Sequence, residues 1–383
     1  MVAVFWGSLG LILYTFLGYP FFLFILNSLN KRPHFNPKCH ETDWPTVSLV
    51  IAAYNEEKAI GEKLENSLNL DYPKDKLEII VVSDRSSDST DDIVRSYAQK
   101  GVGLHRKGNH AGKVSGHKSV LEKVKGDIVV FSDAPTMYQP SVIKELVKHF
   151  VVEDIGCVGG ALTYIRRGQS NSAVHEQRYW SYEAFIRKLE SKVDSLPAVS
   201  GAIYALRRGL YPDMPVHLAD DLIVPLHVKR LGYRTFYEPN ALCWDTPTDN
   251  MKDEFKKRKR IGAQNTAGLL YMKSLLNPFK NFLFSWILVS HKLLRLASPF
   301  LYVSVFVSSL GLSQQGDFWM AISLIISLFL VTSLIGWFLE GLGKRSRVFS
   351  LPSYFMAFNL GMTFGVFEAL LGKKYAKWES KRG

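Results

Sequence analysis

The chain of 383 residues predicts an α/β fold, a parallel sheet covered on both faces and flanked by transmembrane helices. Two observations carry this prediction. Between Thr46 and Asp133 short β-rich apolar runs alternate with helical patterns, and both ends of the chain hold uncharged stretches long enough to cross a bilayer. Such a length leaves room for one large domain of about 250 residues plus several spans.

Residues 1–30 contain no charged side chain, so Val2–Leu29 reads as an N-terminal transmembrane anchor, about 20 apolar residues being enough to span the hydrocarbon core. A cleaved signal peptide would need a basic start, a shorter apolar core and a small-x-small cleavage site, which this segment does not show. A domain over residues 45–270 follows. Its first half reads as a strand at 47–53, a helix at 57–70, a strand at 77–83, helices at 88–100 and 113–124, and a strand at 128–131. Continuous apolar runs mark strands buried on both faces, and the intervening helices mark parallel crossovers. The second half is less regular, with strands at 155–163 and 198–206 around a helix at 175–193, then a helix at 221–230 and a strand at 234–237 after Gly232.

Beyond the domain, residues 281–290 follow Pro278 and Lys280 and are too short to span, so they suit an interfacial helix within 271–295. Stretches 296–312, 318–339 and 351–367 read as three C-terminal spans within 296–372, ahead of a basic tail at 373–383. The formal charge of +12 gathers beside these segments: Lys31 and Arg32, the run Lys256 to Arg260, Lys344, Arg345 and Arg347, and the tail from Lys373. Cytoplasmic loops carry such an excess, which places the central domain in the cytoplasm and the N-terminus outside. Four crossings put the tail outside as well, the side its charge disfavours, and Asn359 and Glu368 are unusual for lipid-facing positions. Cys39, Cys157 and Cys243 are odd in number and far apart, which fits reduced thiols and neither a zinc site nor a disulfide framework.

Ligands of open α/β sheets bind beyond the carboxyl ends of the strands. Tyr54-Asn55-Glu56, Asp84 and Asp133 each stand just past an apolar run and so converge on one crevice. One loop aspartate is ordinarily just solvated, but three carboxylates at one sheet edge beside a flat tyrosine ring fit a nucleotide pocket. Tyr54 would stack the base, Glu56 and Asp84 would accept from ring and ribose donors, and Asp133 would ligate Mg²⁺ or Mn²⁺ against a diphosphate. Gly108-Asn109-His110-Ala111-Gly112-Lys113-Val114 resembles a phosphate loop but is one residue short between its glycines and has Val114 where a metal-binding hydroxyl belongs. This excludes a P-loop NTPase, while Lys113 at a helix start can still meet a phosphate.

Asp220-Asp221 opens a helix, so one aspartate can cap it and the other can act as a general base. A nucleoside diphosphate leaves readily once metal and cations stabilise it, so one base on the acceptor hydroxyl suffices for displacement with inversion, where glycosidases need two carboxylates. The basic run at 256–260 lies shortly ahead of membrane segments, which favours lipid headgroups or a substrate diphosphate over nucleic acid.

Together these residues resemble the membrane-bound family 2 glycosyltransferases, the group containing hyaluronan, cellulose and poly-N-acetylglucosamine synthases. The resemblance covers roughly residues 45–270, and the arrangement of anchor, domain and spans extends it over nearly the whole chain. Ala52-Ala53-Tyr54-Asn55-Glu56 is similar to the family's PxYNE segment with Ala for Pro, and Asp84-Arg85-Ser86-Ser87-Asp88 to its DGSxD turn with Arg85 for glycine. Gly112-Lys113 matches its Gly-Lys, Gly201 to Arg208 its acceptor-side segment, and Asp221, eleven residues before Gly232-Tyr233, its catalytic base. The family's DxD falls on Asp133-Ala134-Pro135, which keeps one aspartate, and only Arg260 survives of its QxxRW.

The resemblance implies a nucleotide-diphospho-sugar transferase (GT-A, Rossmann-like) domain. It further implies an inverting hexosyltransferase with a UDP-sugar donor, a glycan or lipid-linked acceptor and Mg²⁺ or Mn²⁺. Tyr54, Glu56, Asp84, Lys113, Asp133 and Arg260 would bind the donor, Asp133 the metal, and Asp221 would be the base, with Gly201 and Asp220 on the acceptor side. The lost tryptophan favours glycosyl transfer over long-chain polymerisation, and a homo-oligomer or export partner is compatible with so few spans. The competing reading is a catalytically silent nucleotide-sugar-binding subunit, suggested by Pro135 and Ile261. A transporter has little support, because the ionisable groups cluster in the central domain.

Overall fold

The structure is a computed structural model that describes residues 1–29, 43–164, 171–245, 251–344 and 346–376. It divides into two compact units, one formed mainly by the apolar helices and the other by the sheet. Lys31, Arg32, Cys39, Arg345 and the tail from Lys377 lie outside the described residues.

The chain enters through α1 (Val2–Leu13), which continues by a π turn (Tyr14–Gly18) into α2 (Tyr19–Leu29). The sheet unit then lays down β1 (Val47–Ala53), α3 (Ile60–Leu68), β2 (Leu77–Ser83), α4 (Thr90–Ser96), β3 (Val102–Arg106), α5 (Lys113–Val120) and β4 (Ile128–Asp133). These strands are parallel, in the order β3-β2-β1-β4. All seven residues of β1 are buried, as a central strand covered on both faces requires. Leu49, Ile51, Val81 and Val130 form the middle of the core.

The second half departs from an all-parallel sheet. It adds β5 (Met137–Tyr138), α6 (Val142–Val147), β6 (Ile155–Tyr164), α7 (Asn171–Val193), β7 (Ile203–Arg207), α8 (Asp220–Arg230) and β8 (Arg234–Asp245). β7 pairs antiparallel with both β4 and β6, and β8 runs parallel to β6 and antiparallel to β5, giving eight strands in all. β8 runs eight residues beyond the expected strand. It passes Pro239 at a register shift against β6, a bulge where the missing N–H is tolerated.

The helix unit resumes with α9 (Met251–Tyr271), α10 (Phe282–Leu288), a π turn (Val289–Leu293), α11 (Leu294–Leu312), α12 (Asp317–Gly341) and α13 (Arg347–Leu370). Residues 281–290, expected to lie along the interface as a separate helix, instead run on into α11 through the π turn. Trp286 donates its indole N–H to Tyr14 Oη at 2.8 Å, which docks α10 on the N-terminal anchor. Among the described residues three helical segments are long and apolar enough to cross a membrane: Val2–Leu29, Phe282–Gln315 and Asp317–Gly341.

α13 is not one of these three, and it packs along α9. A Cβ on Gly365 would stand 2.2 Å from the Lys259 carbonyl oxygen, and one on Gly262 would stand 2.7 Å from that of Met362, so the two backbones nearly touch. Between them Arg258 is buried, its Nε donating to Glu254 at 2.6 Å while Tyr354 Oη also donates to that carboxylate at 3.2 Å. Glu368, odd for a lipid-facing position, pairs with Lys259 at 2.7 Å and Lys373 at 2.8 Å.

Candidate active site

The turn after β1 carries Tyr54, Asn55 and Glu56, and the turn after β2 carries Asp84 to Ser89. Asn55 adopts a left-handed backbone, φ 52°, which lets its Oδ1 accept from Ser87 N at 2.8 Å while its own N–H donates to Ser86 Oγ at 3.1 Å. Glu56 N donates to Thr90 Oγ1 at 2.8 Å. Arg85 holds φ 62°, a conformation that suits glycine, so this turn keeps its left-handed shape without one.

Asp84 is buried and meets four donors of the chain itself. Its Oδ1 receives Lys107 Nζ at 3.3 Å and Ala111 N at 3.1 Å; its Oδ2 receives Gly112 N at 2.7 Å and faces His110 Nδ1 at 2.8 Å. A carboxylate has about four lone-pair sites. Asp84 is therefore the anchor of the 107–112 loop, and its oxygens are already occupied where the sequence suggested contacts to base and ribose. His110 in turn stacks on Tyr54, with ring centroids 4.1 Å apart and planes 21° from parallel. One face of the expected base platform is thus lined by a histidine.

A second cluster forms where β4 ends and α8 begins. Lys113, the first residue of α5, points its Nζ at Asp133 Oδ1 at 2.7 Å and donates to the Gly201 carbonyl at 3.0 Å, with Asp220 Oδ2 at 3.9 Å. Asp220 does not cap its helix: Ala219 is the N-cap, and no side-chain cap bond forms. Its carboxylate instead accepts from Tyr204 Oη at 2.8 Å and lies 3.3 Å from Nδ1 of the fully buried His117. Burial would push the Asp220 carboxyl up, but Lys113, His117 and Tyr204 together hold it well below the usual carboxylate range. At Lys113 burial is outweighed by the Asp133 and Asp220 carboxylates, which raise its ammonium pKa, whereas burial prevails at His117 and lowers it.

Asp221 follows on the half-buried side of α8, and its Oδ2 would lie 3.7 Å from a Cβ placed on Gly201. That missing side chain keeps space in front of both Lys113 and Asp221. Asp133, Lys113, Gly201, Asp220 and Asp221 therefore share one neighbourhood, while Arg260 belongs to α9 in the helix unit. His110, His117 and Tyr204 had no distinguishing sequence signal, except that His117 lies four residues after Lys113 and so on the same face of α5.

The donor set suits a divalent ion only in part. Asp133 Oδ1 is buried with no aligned hydrogen-bond donor among the described residues, although the Lys113 ammonium stands 2.7 Å away. No group of three or more His, Cys, Asp or Glu side chains gathers there among the described residues. Mg²⁺ and Mn²⁺ commonly rely on one or two carboxylates plus substrate phosphates and water, and one carboxylate at this place fits that pattern.

Known proteins resemble this chain in sequence and in fold. The chain is 29% identical over 246 residues to the probable glycosyltransferase YdaM of Bacillus subtilis, covering 60% of this chain and 58% of that protein. It is 24% identical over 260 residues to a poly-beta-1,6-N-acetyl-D-glucosamine synthase of Staphylococcus aureus, covering 65% of this chain and 61% of the synthase. The chain thus spans about three fifths of the length of the curated relatives it matches. In fold it is similar to the mannosyltransferase PcManGT of Pyrobaculum calidifontis, solved in complex with GDP-Man and Mn²⁺. The TM-score is 0.71 at 21% identity, over 96% of this chain and 99% of that one. Residues 45–263, more than half of the chain and all of its sheet, match the family described as Glycosyltransferase like family 2, and the chain belongs to that family.

Proposed function

We propose that the protein transfers a sugar from a UDP-linked donor to a hydroxyl of a glycan or lipid-linked acceptor, with inversion at the sugar carbon. The observation that carries this reading is the convergence of Asp133, Lys113 and the Asp220-Asp221 pair around the gap left by Gly201. Asp221 takes the proton from the acceptor hydroxyl as that oxygen attacks, and Asp220, tied to Tyr204 and His117, fixes the start of α8 that aims it. Lys113 moves from Asp133 towards the departing diphosphate. Asp133 holds Mg²⁺ or Mn²⁺, which when bound neutralises diphosphate charge. Tyr54 and His110 line the base pocket that the Asp84-held loop shapes, and Glu56 faces the ribose.

We propose three membrane crossings, not four, with the sheet unit in the cytoplasm of the cell and α13 on the cytoplasmic side. The three apolar segments and the position of the basic residues support this.

Nucleotide release by the purified protein, with and without Mn²⁺, across UDP- and GDP-linked donors and a set of acceptors, tests the reading. Metal-dependent UDP release that falls about 10² to 10⁴-fold in Asp221→Asn is the expected outcome. No release above that variant with any donor would instead support a silent nucleotide-sugar-binding subunit.

A further inference from the structure

Lys63 is a lysine in the wrong place for a surface helix. It sits on α3 with no solvent exposure, beneath the end of β4, and none of the chemistry above uses it. A fully buried ammonium is costly unless its donors are satisfied. Lys63 Nζ donates to Ser132 Oγ at 3.1 Å and to the Thr136 carbonyl, and it lies 3.6 Å above the centre of the Tyr138 ring. Ser132 Oγ then donates to the Ala202 carbonyl at 2.8 Å. One turn further along α3, Asn66 exchanges two bonds with the Tyr138 backbone, each of 2.9 Å.

Two lysines therefore hold the same two segments. In the cleft, Lys113 joins Asp133 to Gly201; in the core, Lys63 joins Ser132 and Thr136 to Ala202 through the Ser132 hydroxyl. The residues bridged on one side are immediate neighbours of those bridged on the other. A cation held by Asp133 would compete for the carboxylate oxygen that Lys113 now faces and would repel its ammonium, while a diphosphate would draw that ammonium towards itself. The core bridge has no competitor for its contacts.

We propose that Lys63 is a positioning residue for the reaction: it fixes the Asp133-to-Thr136 segment against the Gly201-Ala202 turn once substrate has drawn Lys113 away. This rests on the reading of Asp133 as the aspartate that faces the metal. Pro135 leaves that segment one carboxylate with which to hold a cation, so the placement of Asp133 matters more here than where two aspartates share the task.

The test measures Mn²⁺ affinity by electron paramagnetic resonance in the presence of UDP, UDP affinity in EDTA, and thermal melting, all on the full chain in detergent. Lys63→Met keeps the length of the side chain and removes its donors; Leu64→Ala disturbs packing on the same helix and serves as the stability control. Lys63→Met is expected to weaken Mn²⁺ about 10- to 100-fold, the usual effect of losing an outer partner of a metal ligand. UDP affinity in EDTA should stay within about twofold of the parent, a margin of about 0.4 kcal/mol. Leu64→Ala should lower melting and leave Mn²⁺ affinity in place. A folded Lys63→Met protein that binds Mn²⁺ like the parent overturns the proposal. Should Lys63→Met not fold, Ser132→Ala decides, since it cuts the bridge to Ala202 while leaving the lysine its other contacts. Weakened Mn²⁺ there supports the bridge, and parental affinity overturns it. Asp133→Asn separates the two levels: if it leaves Mn²⁺ affinity intact, the metal reading itself fails.

Discussion

At the scale of the residue, the site depends on atoms that are absent as much as on those present. A methyl group on Gly201 would stand 3.3 Å from Lys113 Nζ, close enough to shift the ammonium slightly, and 3.7 Å from Asp221 Oδ2, so it would fill the gap between the two groups the chemistry needs. Gly201→Ala is therefore expected to lower kcat by about tenfold or more with little change in melting, since small misplacements are costly in a positioned site. Steady-state kinetics beside a melting curve would show it, and unchanged kcat would mean that the gap is not used. His117 offers a pH test. Burial sets its folded pKa below the ordinary value of about 6.5, so the unfolded chain takes the proton first and stability falls as pH drops below that value. Replacing it by Gln should make the loss of melting temperature between about pH 7 and pH 5 shallower than in the parent. Parallel curves would show that His117 does not contribute to the acid limb.

At the scale of the element, α9 and α13 are joined by backbone contact. Gly365 leaves no room for any Cβ against Lys259, so Gly365→Ile must separate the helices or shift them, at a cost of about 1–3 kcal/mol or more. A lower melting temperature in detergent, matched by weaker protection of α9 in hydrogen exchange, is the expected result. This pairing was illegible in the sequence, where Asn359 and Glu368 mark the stretch around 351–367 as unusual for a span but nothing ties it to the basic run at 256–260; only their packing shows that Glu368 answers Lys259. The parallel strands β1, β2 and β4 were legible, because strands buried over most of their length write themselves as nearly continuous apolar runs. β3 was not, since Val102 to Arg106 is a half-exposed edge with Gly103 in it, and β5 is two residues long. Among site residues the strand-end positions were readable from topology. Asp84 does stand just past the end of β2, but four donors from the 107–112 loop decide what its oxygens meet, and no local pattern reveals such long-range partners.

At the scale of the whole molecule, the number of crossings decides where the tail lies, and charge and packing favour three. A fourth crossing by α13 would carry the companion face of α9 with it, bringing Glu254, Arg258 and Lys259 towards the hydrocarbon, where ionised groups cost several kcal/mol. It would also strand Lys373, Lys374 and Lys377 outside, against the usual bias. With crossings only at Val2–Leu29, Phe282–Gln315 and Asp317–Gly341, Lys31, Arg32, the 256–260 run, Lys344 and the tail all fall on one side. The one short loop on the other side, around Gly316, has no lysine or arginine. α13 then presents Val348 and Leu351, both more than half exposed, to the cytoplasmic leaflet while Gly361 and Gly365 press it against α9. Fusing a reporter after the tail tests this directly in cells. Three crossings give a fluorescent GFP fusion and an inactive alkaline phosphatase fusion; four crossings give the reverse. A phosphatase-active tail would return α13 to the membrane and leave the buried Arg258–Glu254 pair to be explained within it.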